Sequence, residues 1–455
     1  MERLRLLWVT PDVPRRGVSA ARAYWWALLA RLAPRHEVTL LCFADATDAA
    51  IDDLPPGITR IRVVTRRPFT PDDPYALLPQ AVAGRYADPV LRDAIATELA
   101  ARPYDLAQYE FVETANLVPD TGVPAGIPTI LAVHQVGFAA QGPRWRAEGY
   151  SLGSGAVLLH RYLRELDFEL RAAACADHVV TVTAEDAARL RRFLPDLSVS
   201  VSPVGVDTHD FRPMPPPDDC RSDLLFVGNF IHPPNADAVR FLATRVLPRL
   251  GRDVRLHVVG HGAEAAVATI SAGGVTAIGA VDDLKPWLAG ATAVVAPVRF
   301  GTGMRGKVLE ALAMGRPVVT TTLGAEGLGA IAGRHLLVAD DAADFAVAVR
   351  RVLDDAVLRD RLGQDGRALV ETRFDWDVVA GALEDTWLRV LHARSRRVRP
   401  PFPRFAIPVP PRLRGRLAVA AGALRLVGRG AAWHAQRLAG APRAARTGHP
   451  VPLPG

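Results

Sequence analysis

Two stretches of this chain repeat one alternation: a short, uniformly apolar run, then a longer run whose apolar positions recur every three or four residues. In the first stretch Leu4–Val9, Glu37–Cys42, Ile58–Val63, Tyr104–Gln108, Pro128–Val133, His178–Val182 and Ser198–Val201 read as strands. Most are apolar at successive positions, as expected of a parallel sheet covered by helices on both faces. Ser19–Ala33, Pro89–Ala101, Ala156–Ala176 and Ala184–Phe193 carry the helical period between them. Residues 203–222, PVGVDTHDFRPMPPPDDCRS, hold five prolines among short polar residues and read as a linker.

The alternation then restarts. Leu224–Val227, Arg255–Val259, Val275–Ile278, Ala293–Pro297 and Pro317–Thr320 read as strands, with helices over Ala236–Leu250, Asp283–Leu288 and Lys307–Met314. From Ala342 to about Ala393 the pattern is helical, and TRFDWD at 372–377 marks a turn into a last long helix. The expected fold class is α/β, two doubly wound, Rossmann-like domains facing a cleft, where ligands gather at the carboxyl ends of the strands.

Composition narrows the function. A chain of 455 residues with 49% hydrophobic composition can bury large cores. No apolar run reaches the roughly 20 residues that cross a bilayer, and the apolar stretch in MERLRLLWVT is too short for a signal peptide. Cys42, Cys175 and Cys220 are odd in number and lack metal-ligand spacing, which fits a reduced, cytoplasmic setting. The net charge is +7, yet the segment Arg394–Gly455 alone carries thirteen arginines and no Asp or Glu. The body is therefore mildly acidic, which argues against a nucleic-acid enzyme.

The chemistry concentrates in residues 296–319, APVRFGTGMRGKVLEALAMGRPVV: a strand, a glycine loop with Arg305 and Lys307, and a helix with Glu310 one turn inside. Helix-start N–H groups and added cations converging on one point make a phosphate site. Of 55 Lys+Arg only Lys285 and Lys307 are lysine, so one of two compact ammonium groups sits in this loop. Gly301, Gly303 and Gly306 let backbone approach a ligand closely.

The order FVGNF at 226–230, PPNADAVRFL at 233–242, VVGHG at 258–262, GAVDDLKPWL at 279–288 and GTGMRGKVLEALAMGRPVVTT at 301–321 resembles the nucleotide-sugar half of a GT-B glycosyltransferase of retaining family 4. RHEVTLL, ADHVVTVTAEDAARL at 176–190 and GVDTHDF at 205–211 extend the resemblance over roughly residues 1–393. It implies an acceptor-binding domain over 1–203, a linker over 204–222, a nucleotide-sugar domain over 223–376, a C-terminal helix over 377–396 and a Pro/Arg-rich tail over 397–455. It also implies transfer of a sugar from a nucleotide diphosphate sugar to a glycan or lipid-linked acceptor with retention of configuration, in cell-surface polysaccharide or glycoconjugate synthesis, with neither cofactor nor metal. The alternative is a GT-B scaffold that binds a nucleotide sugar without turning it over.

By the same resemblance Glu310 receives the ribose hydroxyls, Arg305 and Lys307 meet the diphosphate, and His134, at the end of the strand TILAV, orients the donor sugar. Gly17, Gly228, Asn229, Val281, Gly301, Thr302, Gly303, Met304 and Gly306 complete the expected donor contacts. The chain departs from the family pattern in three places. Thr302 stands where many members carry a Glu, Asn229 replaces the usual Arg, and Pro233, Pro234 and Asn235 occupy the region of a frequent Lys. Arg305 and Lys307 are expected to supply the missing charge from the facing loop.

Asp375-Trp376-Asp377 has the D-x-D shape of some cation sites, but its place at a helix start reads as a cap. His36, His178 and His257 lie in or beside strands and read as structural, and Ser19 reads as a helix N-cap. In the tail, Leu413, Leu417, Ala420, Leu424, Val427, Ala431 and Leu438 recur at helical steps among arginines, a basic amphipathic pattern over 412–438 suited to an anionic membrane surface at the inner face of the membrane. Gly415, Gly422, Gly428 and Gly430 weaken such a helix, and a disordered arginine-rich tail is the competing reading.

Overall fold

A computed structural model describes residues 3–16, 20–44, 53–65, 89–117, 127–139, 152–251, 253–268, 270, 273–301 and 305–393. Gly17, Ser19, Thr302, Gly303, Met304 and the tail segment 412–438 lie outside the described residues.

The first sheet holds β1 (Arg5–Thr10), β2 (Glu37–Ala44), β3 (Arg60–Thr65), β4 (Leu106–Glu110), β5 (Thr129–Val133), β6 (His178–Thr181) and β7 (Val199–Val201), in the order β3-β2-β1-β4-β5-β6-β7. Every pairing is parallel, with Leu6 opposite Val38 on one side and Leu106 on the other. The helices are α1 (Ala20–Leu32), α2 (Pro89–Ala101), α3 (Leu152–Cys175) and α4 (Ala184–Phe193), with a 3-10 turn over Val112–Leu117. Buried β4 divides its side chains between two cores, Ala107 and Tyr109 on one face and Leu106 on the other, as strand alternation requires.

The second sheet holds β8 (Ser222–Val227), β9 (Leu256–Val259), β10 (Val275–Gly279), β11 (Ala291–Ala296), β12 (Val318–Thr320) and β13 (Leu337–Val338), in the order β10-β9-β8-β11-β12-β13. It too is wholly parallel. Its helices are α5 (Pro233–Phe241), α6 (Leu247–Leu250), α7 (Ala263–Ala268), α8 (Lys285–Gly290), α9 (Gly306–Ala313), α10 (Ala342–Asp354) and α11 (Ala356–Arg373), and α12 (Trp376–Ala393) ends the described chain. Two doubly wound α/β domains are thus what the alternation predicted.

Two local expectations are corrected and one strand is added. The helix expected over Ala236–Leu250 starts at Pro233 and is broken by a π-helical turn over Leu242–Val246. Pro248 lacks the N–H that would bond the Thr244 carbonyl, and its ring crowds that carbonyl, so the turn widens. The helix expected from Asp283 begins at Lys285, because the Asp283 side chain accepts from the Lys285 N–H at 3.0 Å from outside the helix. Strand β13 has two residues, too few to leave a periodic signature.

Helix α12 returns to the first domain. Trp376, Val379, Ala380, Leu383 and Trp387 join the core that contains Trp8, Trp25 and Leu28. Trp8 and Trp387 meet edge to face at 5.6 Å, Glu384 takes His36 Nε2 at 2.9 Å and Arg35 at 2.7 Å, and Arg31 reaches Asp377 at 2.6 Å. His36 is therefore structural, as are His178, bonded to the Ser198 and Ser200 hydroxyls, and His257, packed edge-on against Trp287. No helix of the described residues is long and apolar enough to cross a membrane.

Candidate active site

In the second sheet β8 and β11 are neighbours, and the chain leaves them in opposite directions, through α5 toward β9 and through α9 toward β12. A crevice opens at the carboxyl ends of strands where such connections diverge. One lip carries Gly228, Asn229 and Asn235; the other carries Gly301, Arg305, Gly306 and Lys307.

The lips touch through Lys307, whose Nζ donates to Asn235 Oδ1 at 2.6 Å while Asn235 Nδ2 donates to the Asn229 carbonyl at 2.6 Å. The ammonium also lies 4.5 Å from the centre of the Phe226 ring, which favours the cation. Gly228 is needed here, since a Cβ on it would fall 2.8 Å from Asn235 Cγ. Behind the lip Gly260, at φ +133°, brings its backbone so close to Gly228 that a Cβ would lie 1.9 Å from the Gly228 carbonyl oxygen. Gly301, at φ +106°, holds the left-handed conformation that glycine adopts freely.

Helix α9 buries Val308, Leu309, Ala311, Leu312 and Ala313, leaving Gly306, Lys307 and Glu310 partly exposed on one face. Arg305 stands at its N-cap without a side-chain hydrogen bond to the first turn, so the helix start keeps donors for an anion. Burial pulls Lys307 down to about 7, helped by the Arg305 charge and opposed by Glu310. Burial pushes Glu310 up to about 6, opposed by Lys307. Arg305 is lowered by burial, with Glu326 and Asp186 working the other way. The pocket thus holds positive charge at a desolvation cost that an incoming anion would relieve.

Asp186 belongs to the first domain and Glu326 to the second. Arg189 of α4 joins them, donating Nη1 to Asp186 Oδ1 at 2.7 Å and Nη2 to Glu326 Oε1. The influence of both acids on Arg305 puts the cationic lip beside the contact between domains. Val281 is half-buried after β10 and packs against the core that includes Val308 and Leu309 of α9, and the Gly279 carbonyl accepts from the Gly260 N–H at 2.7 Å.

His134 lies at the carboxyl end of β5 in the first domain. Its Nε2 is 2.7 Å from Glu110 Oε2, its ring stacks on Phe111 at 4.4 Å and 17°, and Tyr24 abuts it edge-on at 4.6 Å. Its side chain keeps 11% of its surface exposed, whereas Glu110 keeps none. Asp375 Oδ1 accepts from the Asp377 N–H at 2.8 Å and its Oδ2 from the Thr208 hydroxyl at 2.5 Å, the capping arrangement expected of the D-x-D stretch. Among the described residues no group of three His, Cys, Asp or Glu is arranged to hold a metal ion.

Sequence reading missed Glu110, Gln108, Arg189 and Glu326. Gln108 and Glu110, two apart in an otherwise apolar strand, were the available signal, since buried polar side chains on one face require partners.

Residues 221–355 match the family described as Glycosyl transferases group 1. A 101-residue segment is 38% identical to glycogen synthase of Mycobacterium tuberculosis, spanning 22% of this chain and 23% of that relative. The whole architecture resembles sucrose-phosphate synthase from Thermosynechococcus elongatus, with a TM-score of 0.66 at 18% identity over 86% of this chain and 100% of that one. It also resembles Anabaena HepE in complex with UDP and glucose, with a TM-score of 0.59 at 15% identity over 85% of this chain and 100% of that one. These comparisons bear out the fold read from the sequence: the chain has the two-domain GT-B architecture, and the segment that matches glycosyl transferases group 1 lies in its second domain. Assignment to retaining family 4 is compatible with these findings.

Proposed function

We propose that the protein transfers a sugar from a nucleoside diphosphate sugar to a hydroxyl-bearing acceptor, a glycan or lipid-linked sugar, with retention of configuration. The observation that carries this reading is Lys307, a desolvated ammonium between two diverging strand ends with Glu310 one helical turn behind it.

In this reading the diphosphate lies on Lys307, Arg305 and the start of α9. Negative charge grows on the leaving diphosphate as the glycosidic bond breaks, and cations fixed in a partly buried site stabilise it without reorganising. Glu310, ionised above about pH 6, is an acceptor-only group for the two ribose hydroxyls. Asn229 and Asn235 bring no charge to the other lip, so the cationic contribution comes from the β11 side. The donor sugar then projects toward the first domain, where His134 waits. Retention and the acceptor class rest on the family resemblance. HepE has been seen with UDP-glucose, which makes UDP-glucose the first donor to try.

The test is slow release of free sugar from UDP-glucose and a panel of other nucleoside diphosphate sugars, followed by HPLC. Hydrolysis that Glu310→Ala abolishes supports the enzyme; tight nucleotide binding with no turnover on any donor or acceptor replaces it with a binding protein.

A further inference from the structure

The His134 ring is the end of a buried chain of hydrogen bonds that begins on the last helix. Trp387 Nε1 of α12 donates to Gln108 Oε1 at 2.7 Å, Gln108 Nε2 donates to Glu110 Oε1 at 2.6 Å, and Glu110 Oε2 faces His134 Nε2 at 2.7 Å. Trp387 and Glu110 are wholly buried and Gln108 is 2% exposed. The first two links have one sense only. An indole nitrogen can only donate, so Gln108 must turn its oxygen to Trp387 and its amide nitrogen to Glu110. A carboxylate that already accepts from Gln108 on one oxygen is matched by a donor on the other, which assigns the proton of the Glu110–His134 contact to His134 Nε2.

The backbone is shaped for the same end. Phe111 has φ +72°, the only non-glycine residue with positive φ among the described residues. Its carbonyl is held by the Thr114 hydroxyl at 2.8 Å and the Thr114 N–H at 3.1 Å. That turn lays the Phe111 ring parallel to His134 directly after Glu110. Unfavourable backbone conformations persist where their surroundings fix them, and they gather at functional sites.

We propose that Glu110 is a positioning residue which, oriented by Gln108 and Trp387, holds His134 as the Nε2–H tautomer and presents Nδ1 to substrate as a hydrogen-bond acceptor. His134 Nδ1 has no hydrogen-bond partner among the described residues, and His134 keeps surface exposed. A substrate hydroxyl meeting it gives a hydrogen bond rather than receiving one. The functional half of this inference rests on the glycosyl-transfer reading; the tautomer does not.

The test separates the two. Protein carrying 15N-histidine is examined by long-range 1H–15N NMR at about pH 8, where an unperturbed imidazole is neutral, with His134→Gln used to assign the ring. The wild type is expected as the Nε2–H tautomer. In Glu110→Gln the amide oxygen continues to serve Gln108, the new NH2 faces His134, and the ring is driven to the Nδ1–H tautomer. Turnover is expected to fall at least tenfold with donor Kd changed less than twofold. Trp387→Phe, which keeps an aromatic ring in the core, loosens the chain and is expected to lower turnover two- to fivefold. A wild-type ring in the Nδ1–H form, or a tautomer unmoved by Glu110→Gln, overturns the arrangement. A tautomer that moves while turnover stays unchanged overturns its role in catalysis. A wild type that transfers no sugar yet shows the expected tautomer refutes the enzyme reading and this catalytic role together, and upholds the hydrogen-bond arrangement.

Discussion

The two domains furnish the carboxyl ends of their strands with opposite chemistry. Where β8 and β11 diverge, the side chains are Lys307, Arg305, Asn229 and Asn235, with no acidic group among the described residues bonded to the ammonium. At the ends of β4 and β5 the side chains are Glu110, His134 and Phe111, with Tyr24 against the ring. The few residues at each set of strand ends thus give one domain a cationic lip and the other a buried carboxylate–imidazole pair. The other lysine underlines the contrast: Lys285 Nζ is paired with Asp210 at 2.5 Å, whereas among the described residues Lys307 meets only a neutral amide oxygen within hydrogen-bond distance.

Removing the cation should break that asymmetry most severely. Lys307→Ala is expected to lower kcat/KM by roughly 10²–10³, the scale of losing one preorganised charge-stabilising group, and to weaken nucleotide binding by calorimetry; unchanged donor affinity would count against the assigned role. Next in size is Asn235→Asp, which supplies an acid where Lys307 now meets an amide. It should raise the lysine's pKa, neutralise the lip and cost about tenfold to a hundredfold in donor Kd, as expected of a charge opposed at close range.

Titration sharpens the contrast without mutation. An anion at Lys307 draws its pKa up from about 7, so binding takes up a proton at roughly pH 8–9 and weakens as pH rises above 7. Glu310 loses its acceptor charge as pH falls through about 6, so binding is expected to be strongest between about pH 6 and 7. Calorimetry in buffers of different ionisation enthalpy reads the proton uptake, and Lys307→Met should abolish it. In the ligand-free protein Lys307 has the opposite sign: its depressed pKa contributes stability above the ordinary lysine range that is lost as pH falls through about 7.

The smallest effect belongs to the ion pair between domains. Arg189 and Glu326 retain 28% and 9% side-chain exposure, so Glu326→Gln, which leaves Arg189 on the buried Asp186, should cost about 1 kcal/mol or less, read as a rise in donor KM of up to roughly fivefold that shrinks at high salt.

Much of this was legible in the sequence because it depends on local pattern. Uniformly apolar strands, the proline-rich break and the glycine loop each announce themselves within ten or twenty residues, and Arg305, Lys307 and Glu310 fall within six. What stayed hidden depends on contacts between distant residues. Asn235 reads as part of a departure from the family pattern until Lys307 is seen reaching it from 72 positions away. Glu110 is one acid in a strand until Trp387 and His134 close on its two oxygens through Gln108 and directly. The Arg189–Glu326 contact, 137 residues apart, leaves no periodic trace at all.

The return of α12 makes the first domain discontinuous in the chain, and that has a cost during synthesis. Until the ribosome has released residue 387, Trp8 lacks its edge-on neighbour, His36 lacks its carboxylate and the core between the first sheet and α1 lies open where α12 will seat. The half that emerges first is therefore among the last to finish folding, and a nascent chain halted before α12 presents the sticky surface that chaperones take up.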